Sequence, residues 1–135
     1  MRSRDEKTDR PTQASTSFEI GKRELDARTS VVSVAGELDL VSAPQLKWTL
    51  VDAFEEGASQ VVLDLSQTTF MDSTALGVLV GVQRNLEDGE RFAIVCAQAV
   101  VLRIFEISGM DGAFSIFATL EEALAGERAD TARAI

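Results

Sequence analysis

The alternation of apolar and polar residues predicts a series of short strands between about residue 17 and residue 126. Phe18 and Ile20 alternate with polar neighbours, and Val31–Val34 forms a second apolar run after a turn at residues 24–28. Because the connection is short, these two strands are predicted to form an antiparallel hairpin. Later apolar runs that are too short for helices predict strands at residues 61–65, 91–96 and 114–117.

Between the strands, apolar residues recur with the period of a helix. Ser42 and Gln45 resemble a capping box with Pro44 in the first turn, and the helix that follows ends before Gly57. Its apolar face is predicted to contain Leu46, Leu50, Ala53 and Phe54. A third helix ends near Gly109, and Thr119–Glu122 is a second capping box that begins a closing helix.

Strands that alternate with helices require parallel neighbours joined by right-handed crossovers. The predicted fold class is therefore α/β, with a small mixed sheet made of the N-terminal hairpin plus parallel strands, flanked by about four helices.

The junction at Asp72-Ser73-Thr74 is the main candidate for function. Residues 61–65 are interpreted as a buried strand and residues 66–69 as a polar loop. The helical period begins after Asp72. The predicted inner face of this second helix contains Leu76, Leu79, Val80 and Gln83. If Asp72 is the N-cap, the Ser73 hydroxyl is free at a helix start, where an added anion is stabilised. The alternative is that all three residues only cap the helix.

Two features of the helices predict unpartnered surface. Gly77 and Gly81 leave a narrow flank on the second helix, which another backbone can approach closely. Trp48 points away from Leu46 and Leu50, since two residues along a helix is a rotation of about 200°. It is expected either to cover the sheet edge or the next helix, or to form an exposed apolar patch for a partner.

Composition narrows the location and the partners. The 135 residues, 45% of them hydrophobic, suit one domain with a real core. The net charge of −9 argues against nucleic acid and anionic membrane as partners. No apolar run approaches the ~18 residues of a membrane span, and the N-terminus lacks a signal-peptide core, so a cytoplasmic location is predicted. We expect a disordered tail at residues 1–16 and a flexible one at residues 127–135.

The residue types present also limit the chemistry. The chain has no histidine, which excludes a Ser-His-Asp triad and a His-ligated metal site. It contains no P-loop and no dinucleotide-binding glycine motif. Cys96, the single cysteine, ends an apolar run and is interpreted as an inert core thiol in a reducing compartment. No enzyme activity, cofactor or metal is predicted.

Three segments together resemble a STAS domain, and more narrowly the bacterial anti-sigma factor antagonists. They are Gly36-Glu37-Leu38-Asp39, Val61-Val62-Leu63-Asp64-Leu65 and Phe70-Met71-Asp72-Ser73-Thr74-Ala75-Leu76-Gly77. The resemblance covers residues 17–126 and implies the STAS fold. It also implies a partner switch: an anti-sigma factor with serine kinase activity binds the unphosphorylated antagonist and releases its sigma factor. The kinase then phosphorylates the antagonist, and a serine phosphatase restores it.

Within this resemblance the phosphorylated residue corresponds to Ser73, with Thr74 as the alternative acceptor. The residues implied in partner binding are Asp39, Asp72, Ser73, Thr74, Ala75 and Gly77. Ala75 departs from the family, which commonly has glycine there, and its methyl is expected to stiffen the helix start where a partner approaches. Two alternatives stay open: a STAS scaffold that is not phosphorylated, and a module that binds a nucleotide or another small molecule.

Overall fold

The computed structural model describes residues 18–126. The tails predicted at residues 1–16 and 127–135 lie outside the described residues. The elements in chain order are β1 (Phe18–Glu24), β2 (Thr29–Leu38), α1 (Ala43–Glu55), β3 (Gln60–Met71), α2 (Ser73–Arg84), β4 (Arg91–Val95), α3 (Ala99–Ile107), a 3-10 turn (Asp111–Ala113), β5 (Ser115–Phe117) and α4 (residues 120–126).

The strands form one five-stranded sheet in the order β1-β2-β3-β4-β5. β1 pairs antiparallel with β2, and every later pair is parallel. The predicted α/β fold, with a mixed sheet, an N-terminal hairpin and about four helices, is confirmed.

Successive residues of the central strands face opposite sides of the sheet, and each side has its own apolar cluster. Val32 and Val61 belong to the larger cluster, which includes buried residues of α1, α2 and α3. Val31 and Val62 belong to a smaller cluster, which Ala123 of α4 completes. The sheet therefore has three helices on one face and α4 on the other. The buried face of α2 contains Ala75, Leu76, Leu79 and Val82; Val80 and Gln83, predicted inside, are only half-buried.

The polar loop predicted at residues 66–69 is wrong, because β3 runs unbroken through it to Met71. Thr68 is fully buried, and its hydroxyl donates to the Val34 carbonyl at 3.0 Å, which pairs a polar side chain inside the strand. β4 pairs with β3 only as far as Asp64. Beyond that point the Gln98 side-chain amide donates to the Ser66 carbonyl. Polar residues are compatible with this part of the strand because one side of it is open to water.

Two further predictions concern helix starts and surface. The second capping box is confirmed at Thr119, whose hydroxyl oxygen accepts from the Glu122 N–H group at 3.1 Å. The Glu122 carboxylate accepts from the Ala118 N–H group, one residue before the predicted position. Trp48 is 59% exposed, so it forms exposed apolar surface.

Candidate functional site

β2 and β3 end side by side at the carboxyl edge of the sheet. Leu38 lies opposite Met71 in the register, and the Asp72 N–H group donates to the Leu38 carbonyl at 3.0 Å. Asp39 and Asp72, which follow these strands, are therefore brought to neighbouring positions although they lie 33 positions apart in sequence. The fold unites the two segments that the sequence resemblance picked out separately.

Asp72 caps α2, as predicted. It has extended backbone angles, and its carboxylate accepts from the Ala75 N–H group at 3.0 Å. Four N–H groups at a helix start have no partner within the helix. The Asp72 N–H group is satisfied by Leu38 and that of Ala75 by the Asp72 side chain. Among the described residues, nothing accepts from the N–H groups of Ser73 and Thr74, which leave the positive end of the helix dipole available to an anion.

The Ser73 side chain is exposed, and no hydrogen bond to its hydroxyl is found among residues 18–126. Because Asp72 does the capping, the serine at the first helical position has no structural task. Thr74 is also exposed, and it borders a groove between α1 and α2. Both hydroxyls are accessible, and Ser73 lies nearer to the Asp39 segment along the chain.

Ala75 and Gly77, the other two residues expected to bind a partner, differ in accessibility. Ala75 is fully buried in the main core, so its methyl group packs inside the protein and does not meet an approaching surface. Gly77 is exposed, and a Cβ atom added there would find nothing within 4 Å. The Ala75 departure therefore affects the packing of the helix start, not its outer face.

The loop after β2 is held by a compact set of hydrogen bonds. The Asp39 carboxylate accepts from the N–H groups of Val41 and Ser42, at 3.0 and 3.2 Å. The Ser42 hydroxyl accepts from the Asp39 N–H group at 2.9 Å and donates to the Glu37 carbonyl at 3.0 Å. Ser42 precedes α1 but makes no side-chain cap, so the capping box predicted there is wrong. Its hydroxyl is committed to the preceding loop.

This loop presents two aliphatic side chains that sequence reasoning missed. Leu40 is 70% exposed and Val41 is 86% exposed, although their backbone is fixed by Asp39 and Ser42. Their only signal in the sequence is that they fit neither the strand nor the helix period. We name residues 39–41 together with residues 72–74 the junction face. It combines two carboxylates, the two exposed hydroxyls of Ser73 and Thr74, and an apolar pair.

The remaining chemistry-bearing groups lie elsewhere. Cys96 is only 2% exposed, which confirms the core thiol, and burial raises the pKa of the thiol. Within residues 18–126, no group of three or more histidine, cysteine or acidic side chains is arranged to hold a metal ion. None of the helices in that range is both long and apolar enough to cross a bilayer.

A family profile described as the STAS domain matches residues 22–123. This chain belongs to the STAS domain family. The anti-sigma-F factor antagonist RsfB of Mycobacterium tuberculosis is 30% identical over 99 residues, which cover 73% of this chain and 81% of that protein. An anti-sigma factor antagonist from Mycobacterium paratuberculosis has a similar crystal structure, with a TM-score of 0.77 and 30% identity over 83% of this chain and 95% of that one.

The Bacillus protein SpoIIAA has been solved in two forms that resemble this STAS domain. The unphosphorylated form gives a TM-score of 0.67 at 26% identity, covering 83% of this chain and 96% of that one. The phosphorylated form gives 0.60 at 27% identity, covering 79% and 96%. The predicted family and fold are thus confirmed, and the solved relatives include an antagonist that exists with and without a phosphoryl group.

Proposed function

We propose that this STAS domain is an anti-sigma factor antagonist controlled by phosphorylation of Ser73. In its unphosphorylated form it binds an anti-sigma factor with serine kinase activity through the junction face, and a sigma factor is released. Phosphorylation breaks the contact, and a serine phosphatase restores it. The proposal places this exchange in the cytoplasm, and the protein acts as a binding partner without turnover of its own. The observation that carries it is the exposed Ser73 hydroxyl, to which residues 18–126 make no hydrogen bond, since Asp72 caps α2.

The junction face suits a kinase substrate. In the transfer, the Ser73 oxygen bonds to the γ-phosphorus of ATP, ADP leaves, and the hydroxyl proton passes to a base on the kinase. The product phosphate lies beside the open N–H groups of Ser73 and Thr74, which can accept the new charge without unwinding the helix. Ala75 and Leu76 anchor the same turn in the core. We therefore expect the fold to be the same in both forms.

The loss of binding follows from charge. A phosphoryl group adds about −1.5 to −2 charges next to Asp72 and close to Asp39. The junction face contains no lysine or arginine to offset them. A penalty of about 4 kcal/mol from repulsion and desolvation would weaken binding about a thousandfold. The missing cationic clamp also argues against the alternative of a nucleotide site, since a helix start alone supplies little affinity for a nucleotide.

The deciding experiment is calorimetry of the Ser73→Ala and Ser73→Asp forms against a purified anti-sigma factor kinase from the same genome. The Ala form is expected to bind like the unphosphorylated protein, and the Asp form to lose binding by two orders of magnitude or more. Thr74→Asp is the matched control, since it puts the same charge one residue further along the helix. Equal binding by the two Ser73 forms would refute the proposal.

A further inference from the structure

An open groove lies between α1 and α2, on the outer side of the helix layer. Its volume is about 650 Å³. Its apolar walls include Val51 and Phe54 from α1, Gly77, Val78 and Gly81 from α2, and Leu86 just beyond the end of α2. We call it the α1–α2 groove. Thr74 borders one end, so the groove is continuous with the junction face.

No side chain of residues 18–126 fills this groove at its glycines. A Cβ atom added at Gly77 or Gly81 would find nothing within 4 Å. Glycine in the middle of a helix costs about 1 kcal/mol relative to alanine. Neither glycine has a positive φ, and no neighbouring segment of residues 18–126 packs against them. The two glycines therefore do not stabilise the described fold, but they would allow the backbone of a bound partner to approach α2 closely.

Charge indicates the kind of occupant. Glu55, Glu87 and Glu90 border the groove together with a single lysine, Lys47, and the whole chain carries a net charge of −9. A second copy of this chain would bring the same carboxylates together, so self-association is disfavoured. Residues 1–17 contain almost no large apolar side chain to fill an apolar wall. An occupant with an aliphatic face and basic flanks matches both the walls and the rim.

We propose that the α1–α2 groove receives an amphipathic helix with lysine or arginine on its flanks, contributed by the protein that docks on the junction face. The identity of that protein rests on the proposed function. From Lys47 to Glu55 the groove follows about 12 Å of α1, enough for two turns of a helix with apolar anchors at i, i+3, i+4 and i+7. The groove contact does not depend on the state of Ser73. It supplies a constant part of the affinity, whereas the junction face supplies a part that phosphorylation of Ser73 removes.

The test uses a synthetic leucine–lysine peptide of about 14 residues with that spacing. Binding to the full chain is followed by amide NMR shifts and by fluorescence anisotropy. The peptide is expected to shift signals of α1 and α2, and Gly81→Leu is expected to weaken its binding at least tenfold by filling the groove. Gly21→Leu is the matched control, because Gly21 lies on β1 with equally open surroundings and should leave binding unchanged. Gly81→Ala fills less of the groove and serves as a second variant in case the leucine variant does not fold.

Each outcome decides a separate question. Unchanged binding by Gly81→Leu, shifts confined to other elements, or equal binding of a leucine–glutamate peptide would overturn the groove assignment. So would a concentration-dependent dimer that Gly81→Leu abolishes, since the occupant would then be a second copy. If Ser73→Asp weakens binding to the anti-sigma factor kinase and Gly81→Leu does not, the groove proposal is refuted and the Ser73 switch is retained. If the peptide binds in the groove but substitution of Ser73 does not change binding to the kinase, the groove proposal is retained and the Ser73 switch is refuted.

Discussion

The starts of α1 and α2 lie at the same edge of the sheet and use the same residue types in different ways. At α1, Ser42 is only 6% exposed and its hydroxyl donates to the Glu37 carbonyl. At α2, Ser73 is exposed, and the capping bond comes from Asp72. In this protein the serine at the N-cap position of α1 bonds back to the preceding loop, whereas the serine at the first position of α2 is exposed. One residue of offset therefore separates a structural serine from an accessible one.

The largest expected effect is on phosphate incorporation. After incubation with the anti-sigma factor kinase and ATP, Ser73→Ala is expected to take up no phosphate, and Ser42→Ala as much as the unaltered protein. The reason is access: the Ser73 side chain is exposed, whereas the Ser42 side chain is buried and its hydroxyl makes two hydrogen bonds. Intact-mass spectrometry gives the result. Thr74→Ala is the second control and should still be modified, and phosphate on Ser42 would contradict the comparison.

For stability the order of the two serines is expected to be reversed, with the larger effect at Ser42. Ser42→Ala removes the acceptor of the Asp39 N–H group and the donor to Glu37, and should lower the free energy of unfolding by about 2 kcal/mol. Ser73→Ala alters an exposed hydroxyl and should stay within about 0.5 kcal/mol of the unaltered protein. Urea unfolding followed by circular dichroism measures both. Equal losses in the two variants would show that the serines are not divided between structure and accessibility.

The smallest effect concerns the cap that frees Ser73. Asp72→Ala removes the acceptor of the Ala75 N–H group and is expected to cost about 1 kcal/mol in urea unfolding. Asp72→Asn is the matched control and should lose only a few tenths of a kcal/mol, because asparagine caps nearly as well. If the asparagine form is as unstable as the alanine form, the negative charge of Asp72, rather than its hydrogen bond, stabilises the helix start.

The sequence predicted the start of α2 well because all the information needed there is local, whereas its inner face was predicted only at Leu76 and Leu79. Asp72 precedes a clear helical period, and a side chain that caps its own helix needs no distant partner. The start of α1 was predicted wrongly because the choice between capping and loop bonding depends on the Glu37 carbonyl, whose position is set by the pairing of β2 with β3. Residues 66–69 were misread as a loop for a similar reason, since Thr68 is satisfied by Val34 on another strand.

The apolar part of the junction face is the feature that sequence reasoning could least supply. Leu40 and Val41 are ordinary residues in an ordinary loop, and single apolar side chains on a surface are common. Their exposure depends on a loop held by bonds between Asp39 and Ser42, which a pattern of hydrophobic and polar positions does not encode. The two glycines of α2 were readable as an open flank, but the size of the groove beside them was not.

The hydrogen bond from the Asp72 N–H group to the Leu38 carbonyl has a consequence for how such domains diversify. It fastens the turn that contains Ser73 to the last residue of β2, upstream of Leu40 and Val41. Exchange of those two side chains for others would leave the Ser73 oxygen where it is. Under the proposed function, recognition of a particular partner and control by modification can therefore vary independently on a common frame.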